Sequence, residues 1–189
     1  MIYSDHDIKR AVRDDDIRIE PFDPAAVQPA SVDVRLGRVF WRFRKRGLKP
    51  VCPVIDPTED VKRLMFRQDA PELEIQSHEL VLGVTLEKVT LCDFVVARVE
   101  GKSSLGRLGL SVHVTAGFID PGFSGHVTLE MYNCAPFPIR LRAGMWIGQL
   151  AFTETKTACD VPYGKERGSR YTDQDACEPV PSRVHVNLG

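Results

Sequence analysis

Long apolar runs are missing from this chain: no stretch approaches the ~18 consecutive apolar residues that a membrane-spanning helix needs. The first residues, MIYSDHDIKRAV, carry charge from Asp5 onward and do not resemble a signal peptide, so a cytoplasmic protein is expected. Cysteine is sparse. Cys52, Cys92, Cys134, Cys159 and Cys177 form an odd set with no C-x-x-C pair, which suits neither a disulfide framework nor a structural zinc site. An excess of either charge is missing too, since the formal net charge is -1, and this excludes a globally basic nucleic-acid surface. Apolar residues at 43% and charged residues at 27% are ordinary for a globular domain. A chain of 189 residues can bury one good core but is short for two. A single domain over 1–189 is expected, its polar, loop-like final stretch 156–189 lying over the rest as a tail.

One local concentration of charge stands out against that balance. From Arg38 to Lys49 the chain carries Arg42, Arg44, Lys45 and Arg46 as well, interleaved with Phe40, Trp41 and Phe43 and without an acid. Such a stretch can bind single-stranded nucleic acid. The plainer reading is a solvated hairpin whose aromatics pack inward.

The chain opens with a helix signal over Ser4–Val12: Ser4 as cap, Asp5 and Asp7 at the positive end of the helix dipole, Ile8 and Val12 on one face. Ser31–Leu36 alternates as a strand does. Residues 50–74 are rich in proline, with a short helical candidate near Glu59–Phe66. Beyond Glu79 the period is mostly two, giving strands at Leu80–Leu86, Phe94–Val99, Leu110–Thr115, His126–Tyr132 and Trp146–Thr153 between Gly- and Pro-bearing turns. Many short strands with few helices predict an all-β sandwich or jelly roll.

Two segments carry the chemistry. Glu100-Gly-Lys-Ser-Ser-Leu-Gly-Arg-Leu-Gly109 contains Gly-Lys-Ser, but Val96 stands where a phosphate-binding P-loop needs its first glycine. The segment still suits an anion: glycines allow close backbone approach, Ser103 and Ser104 donate, and Lys102 and Arg107 add charge. In Thr115-Ala-Gly-Phe-Ile-Asp-Pro-Gly-Phe-Ser-Gly-His-Val-Thr-Leu-Glu130, Asp120-Pro-Gly is a turn. In the strand that follows, Val127, Leu129 and Met131 point one way, and His126, Thr128, Glu130 and Tyr132 the other. Glu130 becomes a candidate base if that polar face lines a pocket.

Taken together these segments resemble the dCTP deaminases, relatives of the trimeric dUTPases. The resemblance is carried by Val99–Leu110, Ala116–Gly125, Leu129-Glu130 and Gly148-Gln-Leu150. Ser4–Ile8, Gln28–Leu36 and, in the tail, Pro162-Tyr163, Arg170-Tyr171, Gln174 and Pro181-Ser-Arg183 carry it further. It implies a distorted β jelly roll of the dUTPase-like type, a homotrimer with sites at subunit interfaces, and Mg²⁺ bound through the substrate phosphates. Glu130 then matches the general acid/base, Ser103 and the Ala116 backbone the holders of the attacking water, and Arg107 the neighbour of Glu130. Asp120 matches the residue on the deoxyribose 3′-hydroxyl. Lys102, Ser104 and Arg170 match phosphate contacts, and Tyr163, Tyr171 and Gln174 the tail that closes over the nucleotide. The ligands implied are dCTP and dUTP, with dTTP as a candidate feedback inhibitor. No metal ligand is implied among the side chains and no zinc: both halves of the H-x-E…P-C-x-x-C signature of zinc deaminases are absent.

The chain departs from the family pattern in its tail. Arginine stands at 170 where lysine is usual, Asp175-Ala176 stand where a glycine is usual, and Cys177-Glu178 is extra length. Within the family the product divides members into those that release dUTP and bifunctional ones that form dUMP and pyrophosphate. Ala116-Gly-Phe-Ile-Asp120 resembles the bifunctional version, while Val112-His-Val-Thr115 resembles the deaminase-only one. The bifunctional form is expected, with glycine at 117 leaving room beside the triphosphate. The alternatives are a deaminase that stops at dUTP, a dUTPase only, or a nucleotide-binding regulator without turnover.

Overall fold

The computed structural model describes residues 1–44, 54–56, 61–169, 171 and 176–181. Helix α1 spans Asp5–Arg13, and its start is the expected one: the Ser4 hydroxyl accepts from the Asp7 amide while the Asp7 carboxylate accepts from the Ser4 amide. This reciprocal box satisfies two otherwise orphaned donors. Ile8 and Ala11 are the buried face of the helix.

Among the described residues, thirteen strands follow. They are β1 (Ile17–Glu20), β2 (Val27–Gln28), β3 (Ser31–Arg35), β4 (Val39–Phe43), β5 (Met65–Asp69), β6 (Glu72–Ile75) and β7 (Leu80–Leu91). After these come β8 (Val95–Gly101), β9 (Leu110–Ser111), β10 (Phe118–Ile119), β11 (Ser124–Asn133), β12 (Ile139–Arg142) and β13 (Trp146–Glu154). One sheet runs β5-β4-β7-β11-β9, with β1 sharing the β4 edge of the long strand β7. The other runs β10-β8-β13-β3-β2, and β6 pairs β12 in a small ribbon. Every pairing is antiparallel. The core lies between the two large sheets, with Leu129, Met131 and Val81 from the first and Val99, Leu150 and Phe152 from the second almost fully enclosed. This is the jelly-roll arrangement that the period of two predicts. Among the described residues, no helix is long and apolar enough to cross a membrane.

The structure revises several local expectations. The alternation at Leu110–Thr115 makes a strand only as far as Ser111, after which residues 112–117 leave the sheet and Val114 is exposed. His126 does not share the polar face of Glu130. The register of β11 on β7 slips between His126 and Thr128, and this bulge turns His126 inward, where Nδ1 lies 3.2 Å from the Thr85 carbonyl oxygen. Val61–Leu64 is a single 3₁₀ turn rather than a helix reaching Phe66. The basic stretch takes the plainer of its two readings as far as residue 44. It is strand β4, with Phe40 fully buried, Trp41 7% exposed, Arg38 paired with Asp69 and Arg42 with Glu79. Lys45, Arg46, Lys49 and Cys52 lie outside the described residues.

Candidate active site

Glu130 sits on β11 opposite Leu82 of β7. Its Oε2 accepts from the Val114 amide at 3.0 Å and, more weakly, from the Thr115 amide at 3.4 Å. The loop 112–117 is bent so that these two donors face the carboxylate. At its start the Ser111 hydroxyl donates to the His113 carbonyl (2.7 Å), and at its end the Val99 amide donates to the Gly117 carbonyl (2.7 Å). Glu130 Oε1 takes no hydrogen bond from the described residues, which leaves that oxygen available to a ligand.

Gly117 does leave room, but the room is taken. A Cβ there would meet His113 Cδ2 at 2.8 Å and the Val99 carbonyl oxygen at 3.1 Å. The His113 ring lies on the bare glycine backbone, its Nδ1 buried and unpartnered. The expected open space beside a triphosphate at this position is therefore filled by the chain itself.

Glu130, Thr128, Ala116, Asp120, Tyr163 and Tyr171 line one cavity of about 530 Å³, whose remaining wall is apolar apart from Thr115, with Phe43, Leu82 and Phe123 among its residues. The tail is docked on its rim. The turn Asp120-Pro-Gly is closed by the Phe123 amide donating to the Asp120 carbonyl, and Gly122 has φ +86°. A side chain at 122 would strike Pro162 Cβ at 2.6 Å, so glycine is what lets the tail lie against the turn. The Tyr163 amide donates to the Pro121 carbonyl (2.8 Å), and the Tyr163 hydroxyl accepts from the Tyr171 amide (3.0 Å). Burial pushes the Tyr163 phenol above its ordinary pKa, so it remains a neutral hydroxyl at physiological pH.

Lys102, Ser103 and Ser104 lie elsewhere, where β8 runs into the one-turn helix α2 (Ser103–Gly106). They line a separate depression of about 300 Å³ together with Gln28, Ser31, Asp33 and Gln149. Lys102 Nζ is held 2.6 Å from Oδ2 of the buried Asp33, and Gln28 donates to the same oxygen at 3.3 Å. Asp33 Oδ1 is buried without a partner. Arg107 ends α2 as an exposed residue and lines neither hollow.

Of the expected site residues, then, Glu130, Ala116, Asp120, Tyr163 and Tyr171 come together, and so do Lys102, Ser103 and Ser104, but the two groups do not meet within one chain. Arg170, Gln174 and Arg183 lie outside the described residues. Sequence reasoning missed the Val114 and Thr115 amides and the Asp33 carboxylate. Asp33 lies in the alternating run 31–36, where nothing marks it as the partner of Lys102. No group of three or more His, Cys, Asp or Glu side chains gathers as a metal site among the described residues.

A family model described as dCTP deaminase-like matches residues 2–155. The chain belongs to that family. Two relatives are similar over all of this chain and 97% of their own lengths, at 48% identity in Pseudarthrobacter chlorophenolicus and 49% in Kocuria rhizophila. Both are named "dCTP deaminase, dUMP-forming". Among solved structures, a 2′-deoxycytidine 5′-triphosphate deaminase from Agrobacterium tumefaciens superposes with a TM-score of 0.63 at 24% identity. That match covers 82% of this chain and 48% of the other, and it shows that this member of the dCTP deaminase-like family shares the fold.

Proposed function

We propose that the chain deaminates dCTP at C4 of cytosine, without zinc, and carries the reaction on to dUMP and pyrophosphate. The observation that carries this reading is Glu130, a carboxylate oriented by two backbone amides on the wall of a nucleotide-sized cavity. The full-length similarity to relatives named for the dUMP-forming reaction supports the product.

Deamination needs a water to lose a proton as it attacks C4, N3 of the ring to gain one, and the amine to leave protonated. One carboxylate that accepts and returns a proton serves all three events. Glu130 takes one proton from the water and delivers it to N3, then takes the proton of the new C4 hydroxyl and delivers it to the departing nitrogen, so that dCTP and water give dUTP and ammonia. The Val114 and Thr115 amides hold Oε2, so the carboxylate need not reorient between transfers. Ser103 and the Ala116 backbone hold the attacking water, Asp120 takes the 3′-hydroxyl, and Tyr163 and Tyr171, with Gln174 of the tail, close the cavity. Lys102, Ser104 and Arg170 take the phosphates, and Arg107 stands beside Glu130. Hydrolysis then consumes a second water at the α-phosphorus and expels pyrophosphate.

Because Glu130 and Ser103 lie on different surfaces, the reading requires a neighbouring copy to bring Ser103 and Arg107 to the cavity, and a homotrimer does this three times over. The ammonium of Lys102 and the hydroxyls of Ser103 and Ser104 are donors that fit phosphate oxygens rather than ligands that fit a cation. Mg²⁺ accordingly belongs on the triphosphate, where it would offset negative charge during phosphate hydrolysis. dTTP, one methyl larger than dUTP at the base, is the inhibitory nucleotide for the same cavity, and the free nucleotide pool of the cytoplasm is the setting.

The deciding experiment incubates the protein with dCTP and excess Mg²⁺, with and without a zinc chelator, and identifies the products. Release of ammonia, dUMP and pyrophosphate in both arms is expected. Stoichiometric dUTP, with added dUTP left intact, would reduce the activity to deamination, and loss of ammonia release with the chelator would overturn the metal-free relay.

A further inference from the structure

The extra length at Cys177-Glu178 has its own seat in the fold. The Glu178 carboxylate is forked: Oε1 accepts from the indole Nε1 of Trp41 at 3.0 Å and Oε2 from Nε of Arg67 at 2.9 Å. Trp41 and Arg67 are cross-strand partners on β4 and β5, so both donors stand on one face of that hairpin. Lys62 Nζ lies 4.9 Å from the centre of the Trp41 ring and adds a second positive charge. A buried indole N–H needs an acceptor, and with Trp41 only 7% exposed, Glu178 supplies one.

The contacts on either side of Glu178 continue towards the cavity. Cys177 Sγ lies 3.5 Å from the Thr85 carbonyl oxygen, and Pro179 is buried. The Val180 amide donates to Thr128 Oγ1 at 3.2 Å, and Val180 and Thr128 both line the cavity that holds Glu130.

We propose that Glu178 is a positioning residue that latches 177–180 to the β4–β5 hairpin, so that Val180 stands ready as part of the nucleotide pocket. The proposal rests on the reading of the Glu130 cavity as the nucleotide site. A wall already ordered before binding spares the ligand the entropy of ordering it. Glu178 itself reaches no reacting atom in this arrangement. Loss of the latch should therefore weaken capture of substrate and leave the chemical steps nearly alone.

The test compares the full-length parent with Glu178→Ala, Glu178→Gln and Trp41→Phe, reading KM and kcat for dCTP deamination and amide hydrogen exchange over 176–181. For Glu178→Ala the KM should rise about three- to tenfold with kcat within about twofold, and the Val180 amide should exchange at least about tenfold faster. Glu178→Gln keeps an acceptor for the indole but loses the ion pair with Arg67, so it should fall between parent and alanine. Trp41→Phe removes the N–H donor together with part of the buried ring and should also speed exchange at Val180. Parental KM and parental exchange in Glu178→Ala would overturn the proposal, as would a fall in kcat matching the rise in KM. If the parent does not deaminate dCTP, the function proposed above fails separately. Exchange at Val180 then still decides the latch: unchanged in Glu178→Ala overturns it, faster supports it.

Discussion

The two hollows that hold the expected site residues are organised in opposite ways. Around Glu130 the wall is largely apolar, and the carboxylate is oriented by neutral backbone donors, so its charge is not matched by a cation among the described residues. Around Lys102 the groups are polar, and the ammonium is held by a charge, the buried carboxylate of Asp33 at 2.6 Å. The first arrangement suits a group that must pass a proton to a ligand, because backbone amides fix one carboxylate oxygen and leave the other open within the chain. The second suits a group that must remain charged and in place, as a phosphate anchor does. Neither hollow is complete. On the function proposed above, Glu130 in one hollow and Lys102, Ser103 and Ser104 in the other would form one site where two copies of the chain meet.

The sharpest way to break that contrast is Glu130→Gln. The amide keeps the shape and the Val114 contact but cannot relay a proton, so deamination should fall about 10²- to 10⁴-fold while nucleotide binding persists. A loss below about tenfold in a steady-state ammonia assay would place the acid/base elsewhere.

The next test concerns the division between chains. Glu130→Gln and Ser103→Ala are each expected to be nearly inactive alone. Unfolded together and refolded as mixed trimers, they should recover about a quarter of parental activity, because a random mixture pairs an intact Glu130 with an intact Ser103 at that frequency. A mixture as inactive as its components would mean that each site is built within a single chain.

How much of this was legible in the sequence depended on whether the signal was local. Helix α1 was, since Ser4, Asp5, Asp7 and Ile8 lie within one turn of each other and need nothing distant. The long strands were, because one face of each meets the core. The region 112–117 was not. It keeps an alternating pattern, yet its amides are drawn to Glu130, a residue 15 or 16 positions away. The turn of His126 was hidden for the same reason, as a bulge against β7 has no mark in the alternation of β11. β1 is four residues long and follows Asp15 at φ +64°, too brief for a period to show. The candidate site residues were named through their resemblance to a family, which also implies sites at subunit interfaces. Which of them share a hollow within one chain was not legible, because motifs carry no information about which surface each one occupies.

A smaller effect is expected at Gly117, and it sharpens the account of the Glu130 wall. Gly117→Ala places a Cβ 2.8 Å from the His113 ring and 3.1 Å from the Val99 carbonyl oxygen. The ring can swing but the carbonyl belongs to β8, so the loop must shift by a few tenths of an ångström, at a cost of about 1–3 kcal/mol for overpacking. That shift moves the Val114 and Thr115 amides, and deamination and triphosphate hydrolysis should fall together, each by several-fold. Gly117→His, which a view of open space beside the triphosphate would have selective for hydrolysis, should instead displace His113 and impair both steps. Loss of hydrolysis alone, measured on added dUTP, would restore that view.

The smallest expected effect is remote from both hollows and checks that they can be perturbed independently of the frame. The Ser4 hydroxyl and amide hold the Asp7 carboxyl below its ordinary pKa. A group whose pKa is depressed by folding binds fewer protons folded than unfolded, so its contribution is present above the unfolded carboxylate value and is lost as pH falls through the folded one. Ser4→Ala removes the hydroxyl that accepts from the Asp7 amide and donates to its carboxylate. The melting temperature should drop slightly at neutral pH, and the difference from the parent should shrink as pH falls below the ordinary carboxylate range and through the depressed pKa of Asp7 in the folded parent. The cap is exposed and its charge is screened by solvent, so kcat and KM for dCTP should not move. A change in either would show that α1 is coupled to one of the hollows, whereas a pH-independent difference in melting would mean that the hydroxyl acts as a cap without help from Asp7.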